Sequence, residues 1–227
     1  MVEIVVEHLY KIFKIGQSKI HALTDINFEI ETGEFVVIYG HSGSGKTTLL
    51  NTLIGIEKPT EGTVCISGKI LSNFSEDQMA QFRASKIGVI HQSQHWVKSL
   101  NVAENVSLPL LAKGVKYEES IEKSKKMLKQ LRIERYLKQK PTELSGGQQQ
   151  KLALASTLVS DPHIIFADEP TGNLDTENSN ELIKLLQDIN KNLKRTIILI
   201  THNESFFDIG TRKIEMKDGR IIIDSKK

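Results

Sequence analysis

Residues 35–55 leave this chain few folds to choose from. Phe35-Val36-Val37-Ile38-Tyr39 is a continuous apolar run suited to a buried strand. Gly40-His41-Ser42-Gly43-Ser44-Gly45-Lys46-Thr47 follows at once and fits G-x-x-x-x-G-K-[ST]; residues 47–54 then read as a helix closed by Gly55. Strand, glycine loop and helix in that order turn backbone N–H groups inward around phosphate oxygens, and the helix start adds partial positive charge. Lys46 offers a cation to the outer phosphates and the Thr47 hydroxyl can ligate Mg²⁺, with Thr48 beside it in the same turn. A merely flexible Gly/Ser linker accounts for neither the lysine nor the flanking strand.

With 227 residues the chain has room for one compact domain and a small subdomain. Thirty basic residues against 28 acidic ones give a net charge of +2, so bulk charge gives no support to a nucleic-acid partner. A single cysteine, Cys65, excludes an internal disulfide framework and suits a cytosolic setting; in the alternating stretch 63–67 it reads as a half-buried strand residue. The first residues carry Glu3 and Glu7 and no basic region, unlike a signal peptide. The longest apolar stretches fall far below the ~18 residues of a membrane span, so any membrane role is expected to come through a partner.

Ile26, Phe28 and Ile30 alternate with polar neighbours as in a half-buried strand. Ser75-Glu76-Asp77-Gln78 is a capping box that opens a helix, and residues 87–90 form a short buried strand. From 101 to 140 the pattern is mainly helical; Lys123, Lys125, Lys126 and Lys129 read as a solvated face. Buried runs return at 164–167 and 196–201 around a helix at 178–190, and Lys217-Asp218-Gly219-Arg220 joins a hairpin. Strands alternating with helices predict a parallel sheet, with the helical middle as an insertion.

Two further motifs carry chemistry. The run 164–167 ends in Asp168-Glu169, where Asp168 can hold Mg²⁺ and Glu169 can polarise an attacking water. Leu144-Ser145-Gly146-Gly147-Gln148 precedes a helical run at 149–158. Ser-Gly-Gly there is either a simple N-cap or a second anion-binding nest. One loop already cradles one triphosphate, so a second nest points to an interface serving another molecule's nucleotide.

Together these residues resemble the nucleotide-binding domain of ABC transporters, whose signature is Leu-Ser-Gly-Gly-Gln. The motifs stand in that family's order: the phosphate loop, Gln92 as the Q-loop glutamine, the signature at 144–148, Asp168-Glu169, Asn173-Leu174-Asp175 as the D-loop, and His202 as the switch histidine. The resemblance spans essentially the whole chain. It implies an α/β P-loop NTPase fold: a RecA-like core with an antiparallel β subdomain (1–92 and 159–227) and an inserted helical subdomain (93–158). It also implies an ATPase with ATP and Mg²⁺ as cofactors, working as a head-to-tail homodimer that sandwiches two nucleotides. Residue by residue, it implies that Phe13 stacks on adenine, with Tyr10 as rival. Gly40 through Thr48 would hold the phosphates, and Ser145, Gly146, Gly147 and Gln148 would meet the opposite copy's nucleotide. Thr47, Gln92 and Asp168 would serve Mg²⁺, Gln92 also sensing the membrane partner. His202 would contact the γ-phosphate, and Glu169 would act as catalytic base or water-orienting group.

His41, His91, Lys151 and Ser156 depart from the family's usual Pro, Phe, Arg and Arg, and none of these changes removes a catalytic group. Within the family, Leu49-Leu50-Asn51, the stretch 101–110, the string 144–150 and the stretch 168–175 bring the chain closest to the lipoprotein-release, macrolide-export and cell-division ATPases. That likeness implies a separate permease partner, a peripheral place on the cytoplasmic face of the cell membrane, and export or extraction. A regulatory ATPase acting through a permease on cell-wall or sensor partners, without moving cargo, would carry the same residues. A DNA-repair ABC ATPase would bring long coiled coils or zinc modules between the motifs, and a small-molecule kinase would lack the signature.

Overall fold

The computed structural model describes residues 1–226. In chain order the elements are β1 (Val2–Ile15), β2 (Ser18–Glu31), β3 (Phe35–Tyr39), α1 (Lys46–Leu53), β4 (Glu61–Ile66), β5 (Lys69–Ile70), α2 (Glu76–Lys86), β6 (Ile87–Ile90), α3 (Val102–Ala112) and α4 (Tyr117–Gln130). After these come α5 (Gly146–Leu158), β7 (Ile164–Asp168), α6 (Thr176–Leu193), β8 (Thr196–Thr201), β9 (Arg212–Lys217) and β10 (Arg220–Lys226). The chain divides into two compact units, 1–83 with 189–227 and 84–188, with boundaries inside α2 and α6.

The first unit holds an antiparallel sheet in the order β2-β1-β4-β5. Ile26, Phe28 and Ile30 are buried and Asn27, Glu29 and Glu31 exposed, as their alternation requires. Cys65 lies half-buried on β4. The same unit places β3 between two parallel neighbours, β8 and β9, and β10 returns antiparallel to β9 through the expected hairpin. Phe35 through Ile38 and all of β8 are buried, which is why these strands read as unbroken apolar runs. Arg212, only 6% exposed, ties this unit together: Nε and Nη2 donate to the Asp224 carboxylate at 2.7 and 2.6 Å, and Nη1 donates to the Glu29 carbonyl on β2.

The second unit contains the parallel pair β6–β7, in register from Ile87↔Ile164 to Ile90↔Ala167. Helices α3, α4 and α5 pack on one another, and α5 also packs on β6. That contact leaves no room for a side chain at Gly88, where a Cβ would lie 2.4 Å from Thr157 Cγ2. Pairing and packing thus draw β6 and β7 into this unit, which runs wider than the 93–158 of the sequence division. Lys123 and Lys125 on α4 pair with Glu119 and Glu122 at 2.7 and 2.6 Å on an exposed face, the solvated surface expected there. Among the described residues no helix is long and apolar enough to cross a membrane. The mixture of parallel strands, helices and a separate antiparallel sheet is the expected α/β class.

Candidate phosphate and nucleotide site

In the first unit the glycine loop leaves β3 at Tyr39 and enters α1 at Lys46. Gly40, Gly43 and Gly45 have φ of 149°, 79° and 97°. A Cβ would lie 2.1 Å from the Met216 carbonyl oxygen at Gly40 and 2.6 Å from that of Ala22 at Gly45, so both positions need glycine on steric grounds as well. Lys46 folds back over the loop, and Nζ donates to the carbonyls of Gly40 and His41 at 2.7 and 2.9 Å and to Ser44 Oγ at 3.2 Å. No side chain caps α1, whose N-cap is Gly45, and no acidic residue stands in its first turn. A positive helix end beside a lysine ammonium and a turn shaped by glycine fits a phosphate. His41, Ser42, Gly43 and Thr47 are exposed, Thr48 is half-buried and Ser44 is buried.

Strand register brings a second predicted residue to this edge. Tyr39 pairs with Thr201 at the ends of β3 and β8, so Gly40 and exposed His202 leave the sheet as neighbours. On β1, Tyr10 and Phe13 are both half-buried. The Lys11 ammonium lies 4.8 Å from the Phe13 ring centroid, and both backbones are tied into the sheet, Phe13 pairing with Ile20 and Tyr10 with Glu61.

The second unit carries the acidic pair, the glutamine and the signature. Asp168 closes β7, and Glu169 follows with φ of 47°; both are half-buried. Gln92 is exposed two residues beyond β6. Its carbonyl accepts from Gln150 Nε2 at 3.4 Å and from Asn173 Nδ2 at 3.5 Å, and a Cβ on Gly172 would lie 2.7 Å from Gln92 Nε2. The stretch after β6, α5 and the stretch after β7 therefore meet at one backbone oxygen.

The N-cap reading of the signature has its counterpart in the geometry. Ser145 caps α5: its Oγ accepts the Gln148 N–H at 3.5 Å, and Gln148 Oε1 accepts the Ser145 N–H at 2.9 Å. Gln148 Nε2 also donates to the Tyr136 hydroxyl at 2.8 Å. Ser145 and Gly146 nevertheless stay exposed. Gly147 is buried, and a Cβ there would lie 2.2 Å from Asn178 Oδ1. Asn178 in turn donates its N–H and Nδ2 to the Asp175 carboxylate at 2.8 and 2.7 Å. Those two bonds hold the Asp175 carboxyl below its usual range and make it the cap of α6, which starts two residues earlier than the expected 178.

Gln150, 5% exposed, was not among the expected site residues. The available signal is its spacing: on α5 it falls between buried Gly147 and Leu154, a polar side chain on the apolar face. Trp96 Nε1 donates to Gln149 Oε1 at 3.3 Å on the same helix.

The family model described as ABC transporter matches residues 23–172. The ABC transporter ATP-binding protein YtrE of Bacillus subtilis is 40% identical over 215 residues, covering 94% of this chain and 93% of that protein. The macrolide export ATP-binding/permease protein MacB of Hyphomonas neptunium is 42% identical over 92% of this chain, which spans only 32% of that protein. An ATP-binding cassette of Methanocaldococcus jannaschii, solved as a dimer in a post-hydrolysis state bound to ADP and Pi, superposes with a TM-score of 0.91 at 36% identity, covering 98% of both chains. With the family model matched across most of the length and these relatives across nearly all of it, this chain belongs to the ABC transporter family and is one of its ATPase subunits.

Proposed function

We propose that this subunit is the motor of a transporter that binds MgATP between two copies set head to tail and drives a separate membrane permease for export or extraction. The observation that carries this reading is the pair of phosphate-shaped features on one chain: the glycine loop under Lys46 and the exposed start of α5 at Ser145. Two such features are more than one triphosphate needs, and a dimeric relative supports sharing them between copies.

In this reading Gly40 through Thr48 grip the phosphates, Lys46 exchanging its loop carbonyls for phosphate oxygens, and Phe13 stacks on adenine. Ser145, Gly146, Gly147 and Gln148 of the second copy close over the γ-phosphate. Thr47, Gln92 and Asp168 are the protein's ligands for Mg²⁺, either directly or through water; hydroxyl, amide and carboxylate oxygens are the hard donors this ion takes. Bound Mg²⁺ would neutralise charge gathering on the phosphate oxygens. Glu169 orients and deprotonates the attacking water, and His202 donates to the γ-phosphate. MacB joins ATP-binding and permease functions in one name, and its likeness to this chain supports a permease partner; in this reading that partner holds the subunit at the cytoplasmic face.

Recovery of the tagged chain from membranes tests this function. An integral membrane protein should come with it, identified by mass spectrometry, and the complex should hydrolyse ATP only with Mg²⁺. A chain recovered alone, or one whose hydrolysis responds to DNA, would overturn the transporter reading.

A further inference from the structure

We propose that the stacked side chains of Tyr39 and Phe207 form a positioning lock, holding the turn that carries His202 against the strand that feeds the glycine loop. This rests on the proposed contact of His202 with the γ-phosphate. The Tyr39 backbone is held on both sides, paired with Thr201 on β8 and with Glu215 on β9. Its ring direction is fixed as well, because its hydroxyl donates to Glu215 Oε2 at 3.3 Å. Burial, then the nearby Glu215 charge, raises the phenol above its usual range and keeps that proton in place.

Beyond Thr201 the chain leaves the sheet, and His202, Asn203, Glu204 and Ser205 are all exposed. The Asn203 N–H donates to Thr201 Oγ1, and Asn203 Oδ1 accepts the Ser205 N–H, both at 3.0 Å. Bonds of such short range set the internal shape of the turn. Its place on the core comes from buried Phe206 and from Phe207, whose ring stacks on Tyr39 at a centroid distance of 4.2 Å and an interplanar angle of 26°. Asp208 next in the chain pairs with Lys213 on β9 at 3.0 Å, anchoring the far end. Tyr39 is thus the last residue before the phosphate loop and also the platform on which the histidine turn rests. Flat rings in offset contact fix an orientation that an aliphatic side chain of similar bulk does not.

The test measures ATP hydrolysis by the full chain in steady state and single turnover, for Phe207→Leu and Phe207→Tyr, each with and without His202→Ala. Phe207→Leu should lower kcat about tenfold while KM for ATP stays within about twofold, because misplacing a catalytic group by a fraction of an ångström affects the transition state most. Phe207→Tyr should retain wild-type kcat. In the His202→Ala background Phe207→Leu should cost nothing further, since it acts through that histidine. Tyr39→Leu breaks the stack from the strand side and should reproduce this pattern should Phe207→Leu prove unstable. Wild-type kcat in Phe207→Leu, a change in KM alone, or a loss that multiplies on His202→Ala would each overturn the lock. Full turnover in His202→Ala would instead remove the role of the histidine and the lock with it.

Discussion

Glu169 lies two residues beyond the buried run 164–167 and sits at φ of 47°, a conformation that costs a residue with a side chain on the order of 1 kcal/mol. Glycine would adopt it without strain, yet a half-buried carboxylate stands there. Strain of this kind gathers where the surroundings fix a functional group. Glu169→Gln keeps the size of the side chain and removes its capacity to take a proton. Turnover should fall by about 10²-fold or more while ATP binding persists. Phosphate release measures the first effect, and a dimer trapped with MgATP, seen by size exclusion, the second; unchanged hydrolysis would remove Glu169 from the chemistry. At this scale the strand, glycine loop and helix were legible in order, because Lys46 reaches the Gly40 and His41 carbonyls within a few residues, whereas the crowding by Met216 and Ala22 that requires glycine at 40 and 45 comes from distant segments. Gln150 was not, since its partner is a backbone oxygen at Gln92, far off in sequence.

Helix ends decide how the segments between motifs are held. The start of α3 is a reciprocal cap: Asn101 Oδ1 accepts the Glu104 N–H at 2.9 Å, and Glu104 Oε2 accepts the Asn101 N–H at 2.7 Å. One turn on, buried Asn105 donates to the carbonyls of Val97, Leu100 and Asn101 and accepts the Val97 N–H. The loop joining Gln92 to the helices is thereby pinned at its far end. Asn101→Ala removes one cap and should destabilise by about 1 kcal/mol. A lowering of Tm by roughly 2–4 °C in thermal unfolding is the expected measure; no shift would show the cap to be idle. The capping box at Ser75 was legible, and the structure forms it; at Ser145 the simple N-cap, one of two readings open there, proves to be a full capping box with Gln148. The helix expected at 178–190 starts earlier, at Thr176, because Asp175 caps it by accepting the Asn178 N–H.

Over the whole molecule, the proposed dimer divides its labour between two copies. With Ser145 and Gly146 exposed at the start of α5, a signature that acts on another copy's nucleotide has the surface it needs. Lys46→Ala and Ser145→Arg chains should each be inactive alone. Mixed one to one, random pairing of a two-fold dimer should restore roughly a quarter of wild-type hydrolysis, since each mixed dimer holds one intact site. A mixture that stays inactive would show that the signature does not act in trans. By itself the sequence determined the glycine loop between strand and helix, the acidic strand end and the family order of the motifs, because glycine conformation, charge and helix capping act over a few residues. Only the tertiary structure decided which residues meet at the Gln92 carbonyl, that Tyr39 stacks on Phe207, and that β6 and β7 join the helical unit. Those contacts depend on strand register and packing between distant segments, for which residue type alone carries no address.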